Sequence, residues 1–170
     1  MAAPTREDTA PLSLEGISII QGGMGVGVSS WQLARTVSQH GHLGVVSGVA
    51  LDVVLARRLQ DGDPDGLFRE ALATFPDQEM VRRVLATYFR ADGREKGEPY
   101  RPAPRLALRQ TRAAQELAVL GNYVEVWLAK QGHDGIIGIN YLEKIQLATP
   151  AAALGAMLAG IDIVLMGAGV

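Results

Sequence analysis

The stretch IIQGGMGVGVSS, residues 19–30, places bare backbone directly after a β-branched run. Glycine lets a main chain approach a ligand closely or take φ angles that other residues avoid. Three further clusters share this character: Ser47-Gly48, Asn140 followed by Glu143, Lys144 and Gln146, and Gly167-Ala168-Gly169. Glycine leaves room for a flat molecule, while amide and hydroxyl side chains hydrogen-bond its polar edge. The chemistry these residue types suit is the binding of a planar, polar-edged small molecule. Thiolate metal sites and disulfides are excluded, because the chain has no cysteine. His40, His42 and His133 fall near loops and helix ends and show no metal-ligand spacing, so no metal site is expected.

The glycine cluster is close to a dinucleotide fingerprint but fails it. Gly23, Gly25 and Gly27 give G-x-G-x-G, and the position that G-x-G-x-x-G requires is Val28. The strand that follows ends in Ser47 rather than in the acidic residue that would bind a ribose. No P-loop pattern is present.

The elements that must position these clusters are legible from periodicity. Ile17–Ile20 reads as a first strand. Ser29 starts a helix, with Gln32 at capping-box spacing, and Gly41 stops it. Leu43–Ser47 is a second strand. Both strands are continuously apolar, as in a parallel sheet covered by helices. From residue 51 to about 130 the alternation pauses for three short helices, a polar proline-rich loop over residues 90–104, and a long helix from Thr111 to Gln131. Charged residues across this region are expected on solvated faces. Gly135–Asn140 is a third strand. Thr149 then caps a helix with Pro150 at its first position, and Ile161–Met166 is a fourth strand. Met157 and Met166 are expected in the core.

Strands alternating with helices predict an α/β fold with a parallel sheet, either doubly wound or a (β/α)8 barrel. In both, ligands bind at the carboxyl ends of the strands, where all four clusters fall. A barrel takes roughly 250 residues, so the 170 residues here correspond to its first four strands plus an insertion. Four strands alone leave two open edges. The expectation is an N-terminal piece of a longer protein: a flexible leader over residues 1–15, then half a barrel over 16–170 with a helical insertion at about 51–130. A complete flavodoxin-like domain is the competing reading.

Bulk properties narrow the class further. A net charge of −2 offers no basic field for nucleic acid or anionic lipid. No apolar run reaches the ~18 residues of a membrane span, and the first fifteen residues lack the apolar core of a signal peptide. The expected location is the cytoplasm, which the absence of cysteine fits.

Two segments, IIQGGMGVGVSSWQLARTVSQHGHLGVVSG and GINYLEKIQLATPAAALGAMLAGIDIVLMGAG, resemble the nitronate monooxygenase family, also called 2-nitropropane dioxygenases, whose relatives include FMN-dependent enoyl reductases. They match in order, about 30 residues at each end of the folded part. The stretch between is similar to the helical insertion of one subgroup.

The resemblance implies a (β/α)8 barrel with FMN at the strand carboxyl ends. It sets Gln21, Gly22, Gly23, Met24 and Gly25 against the isoalloxazine ring, Asn140 at its pyrimidine edge, and Ser47 and Gly48 on the same wall. Gly167, Ala168 and Gly169 would approach flavin or substrate. Lys144 would place a cation near the flavin or attract an anionic nitronate. The implied reaction oxidises an alkyl nitronate with O2 to a carbonyl compound and nitrite. An enoyl-thioester reductase of fatty-acid or polyketide synthesis, and a non-catalytic remnant, are the alternatives. The family's catalytic histidine and phosphate site belong to the second half of the barrel, beyond residue 170, so the 170 residues alone are expected to bind flavin weakly and not to turn over. Each candidate also has an ordinary reading. The glycines at 22, 23, 25, 167 and 169 could be plain turns, Asn140 a turn residue, Gln146 a loop amide, and Glu143 with Lys144 an exposed loop pair.

Overall fold

Three parallel strands and the chain's first extended segment are laid down in sequence order. The computed structural model describes residues 13–105 and 107–167. Its elements are α1 (Trp31–Gln39), β1 (Gly44–Ser47), α2 (Leu51–Gln60), α3 (Leu67–Ala73), α4 (Gln78–Tyr88), α5 (Arg112–Ala129), β2 (Ile137–Leu142), α6 (Thr149–Leu158) and β3 (Ile163–Gly167). The sheet order is β1-β2-β3, all parallel, with Ser47 beside Asn140 and Asn140 beside Leu165. A single parallel bridge, Ile20 to Leu43, adds the first segment outside β1. A flavodoxin-like sheet would bury that segment in its interior. Its position at the edge sets the competing reading aside.

The first strand is shorter than its apolar run suggests, and Gln21 is the reason. Leu43 N donates to Ile19 O and Gln21 N donates to Leu43 O, as a parallel ladder requires. The next rung would run from Val45 N to the Gln21 main chain. Val45 N instead donates to the Gln21 side-chain Oε1 at 3.1 Å. The side chain substitutes for its own backbone, and the main chain turns away from the sheet.

One sheet face carries Val46, Ile137, Ile139 and Tyr141, which join Leu117, Leu120, Ala152 and Ala156 in a single apolar cluster. The helix layer over it consists of α5 flanked by α1 and α6. The expected insertion over 51–130 therefore divides. Helices α2 to α4 form a lobe around Leu55, Leu59 and Leu72, while α5 belongs to the layer on the sheet. The α5–α6 contact is close because α6 is built from alanine and glycine. A Cβ at Gly155 would collide with the α5 backbone at Val119 O.

Side chains fasten the pieces. Asp77 and Thr111 cap α4 and α5 through Met80 N and Ala114 N. Buried Asp63 accepts from Phe68 N and Arg69 N at the start of α3. The Glu116 carboxylate takes a forked hydrogen bond from Arg83 and another from Arg112, joining α4 to α5. Gln60 holds the 100–104 strap, accepting from Arg101 N at 2.7 Å and donating to Arg101 O at 3.2 Å. Asp162 accepts from Lys130 Nζ at 2.6 Å and from Ile137 N at 2.9 Å, tying the amino ends of β2 and β3 together.

Several expectations are corrected. Asp63, Glu116 and Glu125 are buried rather than on solvated faces. Met157 and Met166 are 67% and 52% exposed, since they lie on the outer side of α6 and on the free edge strand. The Ser29–Gln32 capping box does not form: α1 begins after Ser30, and Ser29 is engaged by the glycine loop. Thr149 does not cap α6 but donates its hydroxyl to Ile145 O. The leader falls largely outside the described residues.

Replacing Gly155 by valine forces α5 and α6 apart. Urea denaturation should show a loss of about 3 kcal/mol, the upper range for overpacking.

Candidate functional site

The glycine loop is organised by one hydroxyl. Ser29 Oγ accepts from Met24 N at 2.9 Å and from Gln21 Nε2 at 3.0 Å, and it donates to Gly22 O at 2.9 Å. The Ser29 backbone continues the fastening, with its N–H donating to Met24 O and its carbonyl accepting from Ser47 N. The loop is thus pinned beside the carboxyl end of β1, with Gly25 in the left-handed region at φ 67°.

Gly23 touches the sheet. A Cβ there would lie 2.8 Å from Val46 O and 2.9 Å from Asn140 Cβ. Glycine at 23 is required by the fold itself, whatever ligand lies above. Gly22 differs: a Cβ there would meet only the Met24 side chain, at 3.8 Å. Nothing within the described residues demands glycine at 22. Met24 is 70% exposed at the crest of the loop.

Ser47 and Asn140 are register neighbours on the face opposite the helix layer. Asn140 Nδ2 donates to Gly23 O at 2.9 Å, leaving Oδ1 without a donor among the described residues. Ser47 Oγ is buried and has no hydrogen-bond partner among the described residues, a costly state for a hydroxyl unless another group satisfies it. The structure therefore brings together Gly22, Gly23, Met24, Gly25, Ser47 and Asn140. Gln21 is present too, but both ends of its amide are spent on Val45 N, Ser29 Oγ and Gly22 O. Gly48 N donates to Asn140 O at 2.8 Å, which holds it against the tip of β2. Gly167 ends β3 opposite Leu142, in open space. Lys144 is exposed in the turn after β2 and makes no ion pair among the described residues. Gly169, with Ala168, lies outside the described residues.

The start of α1, where a dinucleotide fold presents N–H groups to phosphate, is occupied from within. Trp31 N donates to Glu125 Oε2 at 3.1 Å. Glu125 is buried on α5, and burial pushes its carboxyl up to about 7 against the opposing Trp31 hydrogen bond. A signal for it exists in the sequence: Glu125 stands among Tyr123, Val124, Val126 and Trp127, with no basic residue at helical spacing to pair with it. Two of the three histidines make structural contacts. His133 accepts from Gly135 N, with its other ring nitrogen at Ala129 O, and the His40 ring meets Thr36 O. No group of acidic and histidine side chains able to hold a metal occurs among the described residues.

A cavity of about 470 Å³ opens on the helix side of the sheet, between α2, the 100–104 strap and the start of α6. Of the expected site residues it touches only Gly48. Sequence periodicity gives no sign of it, because it is made where an insertion meets the helix layer. No helix among the described residues is long and apolar enough to cross a membrane. Comparison with protein-family models, curated proteins and solved structures finds no match.

The raised Glu125 carboxyl has a definite pH consequence. A folded value of about 7 against an ordinary 4.5 means that the native state holds more protons between these values. The Glu125 contribution to stability is then fullest below pH 4.5 and is lost as pH rises to about 7. Glu125→Gln keeps an acceptor for Trp31 N and removes the titration. Denaturation curves should show the variant without that decline and, above pH 7, more stable by on the order of 3 kcal/mol.

Proposed function

We propose that this chain provides the flavin-facing wall of an FMN-dependent oxidoreductase acting on alkyl nitronates, on a (β/α)8 framework. The observation that carries the reading is the convergence of the Gly22–Gly25 backbone, Ser47 and Asn140 at the carboxyl ends of neighbouring parallel strands. The strand order supports the barrel, since sequential parallel strands with one helix layer are how a singly wound sheet is built. Exposed Leu154, Met157, Val164 and Met166 support it as well, because a further helix of the same layer would cover them.

The residues fit the group. Gly22 has clearance above it for a ring, and the Ser47 hydroxyl and Asn140 Oδ1 have hydrogen-bonding capacity that the described residues do not use. Bound there, FMN would take electrons from a carbanion-like nitronate and pass them to O2. The chain's own part is to position and to shield. The Ser29 hydroxyl holds the loop rigid, the Gly23–Asn140 hydrogen bond aims the Asn140 carbonyl, and Met24 offers a soft apolar contact.

The two glycines separate cofactor from fold. In the complete gene product, Gly22→Val should leave the melting temperature within a few degrees while weakening FMN binding at least about tenfold, read by quenching of flavin fluorescence. Gly23→Val should lower the melting temperature with or without FMN. Equal FMN affinity in folded Gly22→Val and parent would defeat the flavin assignment. Oxygen uptake on addition of propyl-2-nitronate tests the substrate. Nicotinamide oxidation dependent on a crotonyl thioester, without nitronate turnover, would favour the enoyl-reductase alternative.

A further inference from the structure

The 470 Å³ cavity is within the size range of small-molecule sites. It lies on the other side of the sheet from Ser47 and Asn140, since Tyr141 faces it and strand side chains alternate. Its interior is chiefly apolar. Ala56, Ala118 and Ala152 come from three different helices, and Leu142 and Ile145 close one side. The polar groups at its floor are already satisfied by each other. Tyr141 OH donates to Asn122 Oδ1 at 3.0 Å, and Asn122 Nδ2 donates to Ala118 O at 2.8 Å. A sugar or other hydroxyl-rich ligand would find nothing there to bond.

The rim is different. Arg57 reaches it, beside one lining carboxylate, Asp52, while the Arg101 guanidinium is turned away, donating to Thr87 O at 3.3 Å and lying 5.9 Å from the Tyr88 ring. Arg57 lies over the Tyr100 ring at 5.0 Å and has no carboxylate partner among the described residues. The Arg101 backbone is clamped by Gln60, so the strap that forms this wall is fixed in place. Ala50, at the mouth, holds φ at 55°, a left-handed conformation that costs energy for alanine and recurs at ligand sites.

We propose that this cavity binds a medium-chain amphiphilic anion: an apolar acyl body in the interior, its carboxylate at Arg57. The site stands independently of the flavin reading and shares none of its side chains.

Octanoate and 1-octanol are the probes, titrated by calorimetry against the complete gene product. Octanoate should bind saturably at one site per chain. Val53→Trp and Ile145→Trp, which fill the cavity from partly exposed positions, should each weaken it at least about tenfold. Arg57→Ala should weaken it about fivefold, in the range of an exposed charge pair. Arg82→Ala, on the exposed face of α4 and outside the cavity lining, should leave it unchanged. Absence of saturable binding, or binding untouched in both tryptophan variants while they remain folded, overturns the site. Octanol binding as tightly as octanoate overturns the anionic end of the ligand, and loss of binding in Arg82→Ala alone places the probe outside the cavity and overturns it.

Discussion

The junction of Gln21, Ser29 and β1 is the constraint on which this architecture turns. A glycine-rich segment has little reason of its own to keep one shape, because each glycine adds conformational freedom that folding must remove. Here one hydroxyl bonds three groups of the loop, and one amide side chain reaches back to the sheet in place of the main chain. The loop becomes an extension of β1. Without Gln21 in that role the first strand would run on alongside β1, and the backbone would not turn across the strand ends at Gly23. Apparent ligand residues can thus be framework residues, and the bare surface over Gly22 exists because its neighbours are fully occupied.

The buried carboxylates extend the same principle between layers. Glu125 on α5 takes the first N–H of α1, Glu116 joins α5 to α4, and Asp63 organises the start of α3. Glu116 and Glu125 differ in protonation because their partners differ. The Arg83 and Arg112 guanidiniums hold the Glu116 carboxyl below the usual carboxylate range, whereas Glu125, with only a backbone N–H in contact, is raised by burial. Helix α5 carries two of the three and packs against most of the other helices. It is the member through which the insertion lobe is referred to the sheet.

Much of this was legible in the sequence, and the boundary of legibility is physical. The helices from α2 to α5 and the strands β1 to β3 follow from runs of apolar residues and from Gly, Pro and capping signals, which act locally. The meeting of Gly23, Ser47 and Asn140 was foreseeable because parallel strands deliver their carboxyl ends to one rim. What escaped depended on partners distant in the chain. The apolar neighbours of Glu125 hint at burial, but its partner appears only once α1 is seen to begin against it, 94 residues away. Met157 and Met166 read as core because an apolar pattern states that a face is greasy, not that something covers it. Ser29 has capping-box spacing, yet the loop before it competes for the same hydroxyl and wins. The cavity arises between a strap and two helices whose periodicities are each unremarked.

The Asp162 carboxylate gives the two ends of the sheet different characters. At the amino ends of the strands, one side chain bridges Lys130 and the first N–H of β2, so alignment is fastened there by charge and hydrogen bonding. Among the described residues, the carboxyl ends carry the turns and no comparable clasp between β2 and β3. Substitutions and changes of loop length at that far rim can accumulate without slipping the strands past one another, which leaves recognition free to diverge over a sheet whose alignment is kept from below.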